Sequence, residues 1–156
     1  MQLTPTMRSS RGWRLRANLS PVQLATGMRI EHVADDFRSM TVALQPRWYR
    51  ASTAAHSGAA LYAMVDPHFV LMAQRALGPD FLVWDKAGSI EVWAPVRGRV
   101  WARLELQDED LRHMLQMTEA GDKHLHLFSA DVRDGEGMKI ARVEKMIYVR
   151  RKGCVT

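Results

Sequence analysis

One segment constrains this chain more than any other: HSGAALYAMVDPHFVLMAQRAL, His56 to Leu77. It reads as a long helix that is apolar nearly all the way round, so no side of it can face water, and it has to be covered by other elements. The rest of the chain is mostly short alternating runs, so the cover must be a β-sheet. The helix carries one carboxylate, Asp66, in its middle, with Pro67 directly after it. An acid there costs several kcal/mol unless it is paired, hydrogen-bonded or protonated. Proline removes the donor to the Ala63 carbonyl and is expected to kink the helix beside the acid.

Turn signals and period-2 patterns divide the remainder. Ser20-Pro21 followed by Gly27 frames a short helix. MRIEHVA (28–34) and FRSMTVALQ (37–45) flank the tight pair Asp35-Asp36 and predict a β-hairpin. After the long helix, which stops at Gly78-Pro79, four long strands are expected: FLVWDKAGSIEVWAP (81–95), RVWARLELQ (99–107), KHLHLFSADVRD (123–134) and MKIARVEKMIYVRRK (138–152). DEDLRHMLQMTEAG (108–121) inserts an amphipathic helix with an acidic start, which suits the helix dipole, and Gly121 as its cap.

At 156 residues the chain has the length of one domain, with a core of about 19–152 behind a basic segment 1–18. No apolar run approaches the roughly 18 residues of a membrane span. Nothing resembles a cleaved secretory signal, and the single cysteine, Cys154, cannot form an internal disulfide, so the expected compartment is the cytoplasm. The charge of +5 raises nucleic acid as a partner, but it lies at the ends. Arg8, Arg11, Arg14 and Arg16 open the chain and Arg150, Arg151 and Lys152 close it. Removing those seven from 22 basic groups leaves 15 against 17 acids. A basic stripe with interleaved aromatics is missing, so neither nucleic acid nor a membrane is an expected partner. The acid-free start faintly resembles a transit peptide; solvated tails or a basic face on a first helix are the plainer readings.

The motifs RWYR, HSGAALYAMVDP, VWDKAGSI and ARVEKMIYVRRK, in the order β-hairpin, long helix, four-strand meander, resemble the DUF4442 family of thioesterase-like hotdog proteins, over about Leu19 to Lys152. The resemblance implies an α+β hotdog fold, an antiparallel sheet wrapped around a long central helix. It also implies a homodimer or homotetramer with acyl-CoA or acyl-carrier thioester sites between subunits. In related thioesterases the turn opening the helix holds the thioester oxygen on backbone N–H groups, and a carboxylate further along activates water or attacks the carbonyl. By resemblance, Gly58 and Ala59 take the first role and Asp66 the second, and His56, which begins the motif, is a candidate catalytic histidine beside the turn. Family members commonly read His-Phe-Gly-Gly; here Ser57 follows His56 and Ala59 replaces the second glycine.

The physics of these residues agrees. A helix start offers unpaired N–H groups and positive dipole charge to an oxyanion. At 100° per residue Asp66 shares a face with Ala59, Tyr62 and Ala63, making Tyr62 a substrate contact. The competing reading of Asp66 is a hydrogen-bond acceptor beside Pro67, and that of His56 a satisfied polar residue at a helix start. Asp85 and Ser89 are expected on one sheet face as further substrate contacts, with an Asp85–Lys86 surface pair as the alternative. Arg47, Arg50, Arg97 and Arg99 are candidate CoA phosphate hooks.

His124 and His126 alternate on one strand face, but no third ligand accompanies them at a convincing spacing, so no metal is expected. Methionines and Trp84, Trp93 and Trp101 are expected to fill a core and an acyl tunnel. Three functions remain: a cofactor-free thioesterase using Asp66; a hydratase or dehydratase pairing His56 with Asp66, which a partner subunit would have to assemble; and a non-catalytic acyl-binding or assembly module.

Overall fold

The computed structural model describes residues 9–45 and 55–153. Helix α1 (Ser10–Asn18) starts on Ser9, whose Oγ accepts the Gly12 N–H at 3.1 Å. Asn18 ties it to the sheet by exchanging two hydrogen bonds with the backbone of Ile30, at 2.8 and 2.9 Å. Helix α2 (Pro21–Thr26) follows the sequence signals: Ser20 caps it, proline stands in its first turn and Gly27 ends it at φ 81°.

Strands β1 (Met28–Val33) and β2 (Ser39–Leu44) form the expected antiparallel hairpin. Its turn is longer than the pair Asp35-Asp36, however. Phe37 takes φ 59° so that its ring is buried edge-on against Trp13, 5.8 Å between centroids. Burying an aromatic ring outweighs the modest cost of the left-handed backbone.

The expected long central helix is not continuous. It is two helices, α3 (Gly58–Ala63) and α4 (Asp66–Leu77), separated by Met64 and Val65. Pro67 is the cause: within one helix its ring would clash one turn back and leave the Ala63 carbonyl without a donor. In the first turn of a new helix the missing N–H costs nothing. Asp66 therefore lies at the start of α4, where a carboxylate suits the dipole. Phe69, Met72 and Ala73 of α4 are fully buried, and Phe69 stacks on Phe128 with centroids 4.6 Å apart.

Strands β3 (Phe81–Val92), β4 (Val100–Glu105), β5 (Lys123–Arg133) and β6 (Lys139–Arg151) complete a six-stranded sheet in the order β1-β2-β4-β5-β6-β3. Every pairing is antiparallel. The four later strands are not a sequential meander: β4 joins β2, while β3 pairs with β6 at the far edge. Helix α5 (Asp108–Met117) carries the chain from β4 to β5, held at its start by a reciprocal capping box between Gln107 and Asp110.

Of the residues expected to fill the core, Met40, Met64, Met72 and Met114 do so. The tryptophans do not. Trp84 and Trp93 are exposed, Trp84 lying flat on Tyr148 (3.8 Å), and Trp101 donates its indole N–H to the Asp134 carbonyl at 3.0 Å. Trp84 and Trp101 stand at strand positions that face away from the helices, where aromatic bodies cover the outer sheet surface. Among the described residues no helix is long and apolar enough to cross a membrane.

Candidate functional site

Strand β6 alternates regularly, and its inward positions 141, 143, 145, 147 and 149 read Ala, Val, Lys, Ile, Val, all buried. The exception in chemistry is Lys145, whose side chain is only 1% exposed. A buried ammonium needs anionic partners. Lys145 donates to the carboxylates of both Asp66 and Asp85 and to the Tyr62 hydroxyl, at 3.1 Å for the last. Asp66 is thus not an isolated acid in an apolar helix: it is one arm of an ionic cluster built from α3, α4, β3 and β6.

Burial acts first on Lys145 and lowers its affinity for the proton, but its bonds to Asp66, Asp85 and Tyr62 together outweigh burial and hold it above the ordinary lysine range. Burial also pushes the Tyr62 hydroxyl up; bonding to Lys145 opposes this and Asp66 adds to it. At neutral pH the ammonium and the phenol both keep their protons. The carboxylates remain accessible, with Asp66 33% and Asp85 48% exposed.

Gly88 makes the arrangement sterically possible. A Cβ there would come within 2.2 Å of the Tyr62 hydroxyl and 3.0 Å of the Glu144 carbonyl, so only glycine lets the phenol reach across β3 to Lys145. The neighbouring strand irregularity matters as well. Asp85 pairs with Ile147 and Ala87 with Met146, leaving Lys86 as the extra residue of a bulge. The bulge shifts the alternation by one, so Asp85 and Gly88 face the helices while Ala87 and Ser89 face away. The expectation that Asp85 and Ser89 share a face is therefore corrected: exposed Ser89 stands opposite Glu144 on the outer side.

Gly58 opens α3, with Ser57 as its cap: Ser57 Oγ accepts the Ala60 N–H at 3.2 Å. Gly58 and Ala59 hold the first two helical positions, whose N–H groups have no acceptor within the helix. The His56 ring donates to the Gly98 carbonyl at 2.7 Å and its backbone N–H to the Val96 carbonyl, so His56 is tied to the loop after β3 rather than to the ionic cluster. Arg99 is paired with Glu31 at 2.7 Å, and Arg97 is exposed in the same loop. Arg47 and Arg50 lie outside the described residues. A groove of about 780 Å³ runs between α1, α2 and β1, but its carboxylate, Glu31, is the one tied to Arg99. The paired acids at Lys145 are the stronger candidate.

Next to Asp66 sits His68, 4% exposed, with no hydrogen-bond partner for Nδ1 among the described residues. Burial pulls its pKa from 6.5 down to about 4, against the opposing pull of the Met64 and Val65 carbonyls and Asp66. The folded state holds the ring neutral, whereas the unfolded chain takes up a proton below about 6.5. This contribution to stability is complete above that pH and is lost as pH falls from 6.5 to 4, amounting to about 3 kcal/mol. Denaturant midpoints at pH 7.5 and pH 4 should therefore differ more for the wild type than for His68→Leu; equal pH dependence in the two proteins would refute the buried neutral ring.

The similar solved structures share this fold at low sequence identity. One is a Pseudomonas aeruginosa protein of unknown function named as a probable thioesterase, with TM-score 0.75, 13% identity, and 97% of this chain and 98% of that one covered. Another is AziG of S. sahachiroi, with TM-score 0.61, 20% identity and coverages of 85% and 98%. A thioesterase from Haemophilus influenzae aligns with TM-score 0.64, 13% identity and coverages of 97% and 93%. At such identities the likeness gives the fold alone, a hotdog architecture. No curated protein matches the chain. The family model described as a domain of unknown function, DUF4442, matches residues 13–149, and the chain belongs to that family.

Proposed function

We propose that this protein hydrolyses acyl thioesters, carried on CoA or an acyl-carrier protein, at a site shared between two copies of the chain. The observation that carries the reading is the pair of solvent-reaching carboxylates, Asp66 and Asp85, anchored on buried Lys145 beside the edge strand β3. The thioesterase names of similarly folded proteins support it. In this reaction Asp66 takes a proton from water as the water attacks the thioester carbon, and the oxyanion forms against the N–H groups of Gly58 and Ala59. The thiol then leaves with a proton. Lys145 and Tyr62 position Asp66, and no metal or redox cofactor takes part.

Ala59 and Asp66 are seven residues apart and stand at the starts of different helices, α3 and α4. A thioester oxygen on the start of α3 in one protomer is therefore assigned to Asp66 of the other. Strand β3 supports such a pairing. It is an edge strand of 12 residues with exposed backbone and exposed Leu82, Trp84 and Val92, a surface that another strand completes. Light scattering at micromolar concentration is expected to return at least twice 17.8 kDa; a monomer would remove the shared site and this mechanism with it. Incubation with acyl-CoAs of graded chain length, with free thiol followed over time, tests the chemistry.

A non-catalytic acyl-binding module is the second reading, favoured by the fact that both acids already have an ionic partner. The hydratase reading is the weakest: the His56 ring nitrogen is engaged with Gly98, away from Asp66 in its own chain.

A further inference from the structure

Helix α5 and strand β5 bring together three histidines that are far apart in sequence in one case and adjacent in pattern in the other. His124 and His126 face inward on β5, and His113 reaches them from α5. The third ligand missing from the strand pattern is thus supplied by the helix. We infer that His113, His124 and His126 bind one Zn²⁺ ion, clamping α5 to β5.

The donor set and the ring spacings approach those of tetrahedral zinc. With Zn–N bonds near 2.0–2.1 Å, two ligand nitrogens on one ion lie roughly 3.3 Å apart and two ring centres roughly 5 Å apart. His124 Nε2 and His126 Nδ1 are 3.3 Å apart. The ring centroids are separated by 4.9 Å (His113–His124), 5.5 Å (His124–His126) and 6.0 Å (His113–His126). Among the described residues no group of three His, Cys, Asp or Glu side chains is placed to hold a metal ion, so binding requires one ring to turn. His113 is exposed and free to do so at little cost.

Asp110 supplies the outer partner that metal-bound histidines require. Its Oδ1 accepts from His126 Nε2 at 3.1 Å, while its Oδ2 is fixed by the Gln107 N–H at 2.8 Å. A carboxylate can only accept, so the His126 proton stays on Nε2 and the Nδ1 lone pair points at His124. In the ion's absence His124 Nε2–H donates to that lone pair. On binding, the proton moves to Nδ1 of His124, both facing nitrogens become ligands, and His113 gives the third. Water takes the fourth position. Imidazole ligands in this number suit zinc over magnesium or calcium.

The test uses the full chain without an affinity tag. Zn²⁺ titrated by calorimetry should bind once per chain and raise the unfolding midpoint, and Co²⁺ in its place should give the intense visible bands of tetrahedral coordination. Asp110→Asn should weaken binding about 10–100-fold, and His113→Ala, at an exposed position that leaves the fold intact, should weaken it further. His32→Ala should change nothing. Absence of saturable binding, an octahedral Co²⁺ spectrum, or unchanged affinity in His113→Ala would each overturn the site.

Discussion

Asp66→Asn is expected to lower thioester turnover on the order of a hundredfold or more, because an amide can neither take a proton from water nor attack a carbonyl. The same substitution should also cost about 1–3 kcal/mol of stability, since the Asn oxygen still accepts from Lys145 but without charge. A stability loss alone therefore does not distinguish the catalytic from the structural role. Asp85→Asn provides the contrast. It weakens the same ammonium from a position on β3 and should reduce stability similarly while leaving most turnover. Activity lost only in Asp66→Asn, in protein shown to be folded, supports the base. Equal losses in the two variants would make Asp66 a structural arm of the cluster. A wild type that hydrolyses no acyl-CoA or acyl-carrier substrate would leave the acyl-binding module as the better account.

The sheet was legible because β-strand burial has a period of two. The six strands fall where alternating runs stood between turn residues, and each of the two short-helix signals, Ser20-Pro21 and the acidic start at Asp108, marks a helix in the structure. Pro67 was legible as a disturbance but not in its magnitude: whether a helix bends or divides depends on how its two halves pack, which is decided by Phe69 against Phe128 and by Tyr62 over Gly88. The bulge at Lys86 was hidden, since one inserted residue leaves no compositional mark, and it alone undid the shared face of Asp85 and Ser89. Strand order was hidden too, because it depends on which edges meet. Lys145 was available to a reader of pattern: a lysine at an inward position between Val143 and Ile147 breaks the apolar alternation and demands an acid across from it. Asp66, the one acid in an apolar segment, posed the matching demand from the other side.

That mutual dependence yields the second large effect. Lys145→Met keeps the length and volume of the side chain but removes the cation, leaving Asp66 and Asp85 facing one another with the Tyr62 hydroxyl between. The cost should be about 3 kcal/mol, at the lower end for breaking a buried pair because both carboxylates reach water. Turnover should fall with it, as Asp66 loses the contact that aims it. In the Lys145→Met background the sign for Asp66→Asn is expected to reverse: it now removes a repulsive charge instead of a partner, so the double variant should be more stable than Lys145→Met alone. Denaturant midpoints of the four proteins in this cycle give the coupling directly. Additive losses, with no recovery in the double variant, would show that Lys145 and Asp66 do not depend on each other and that the ionic cluster does not hold the site together.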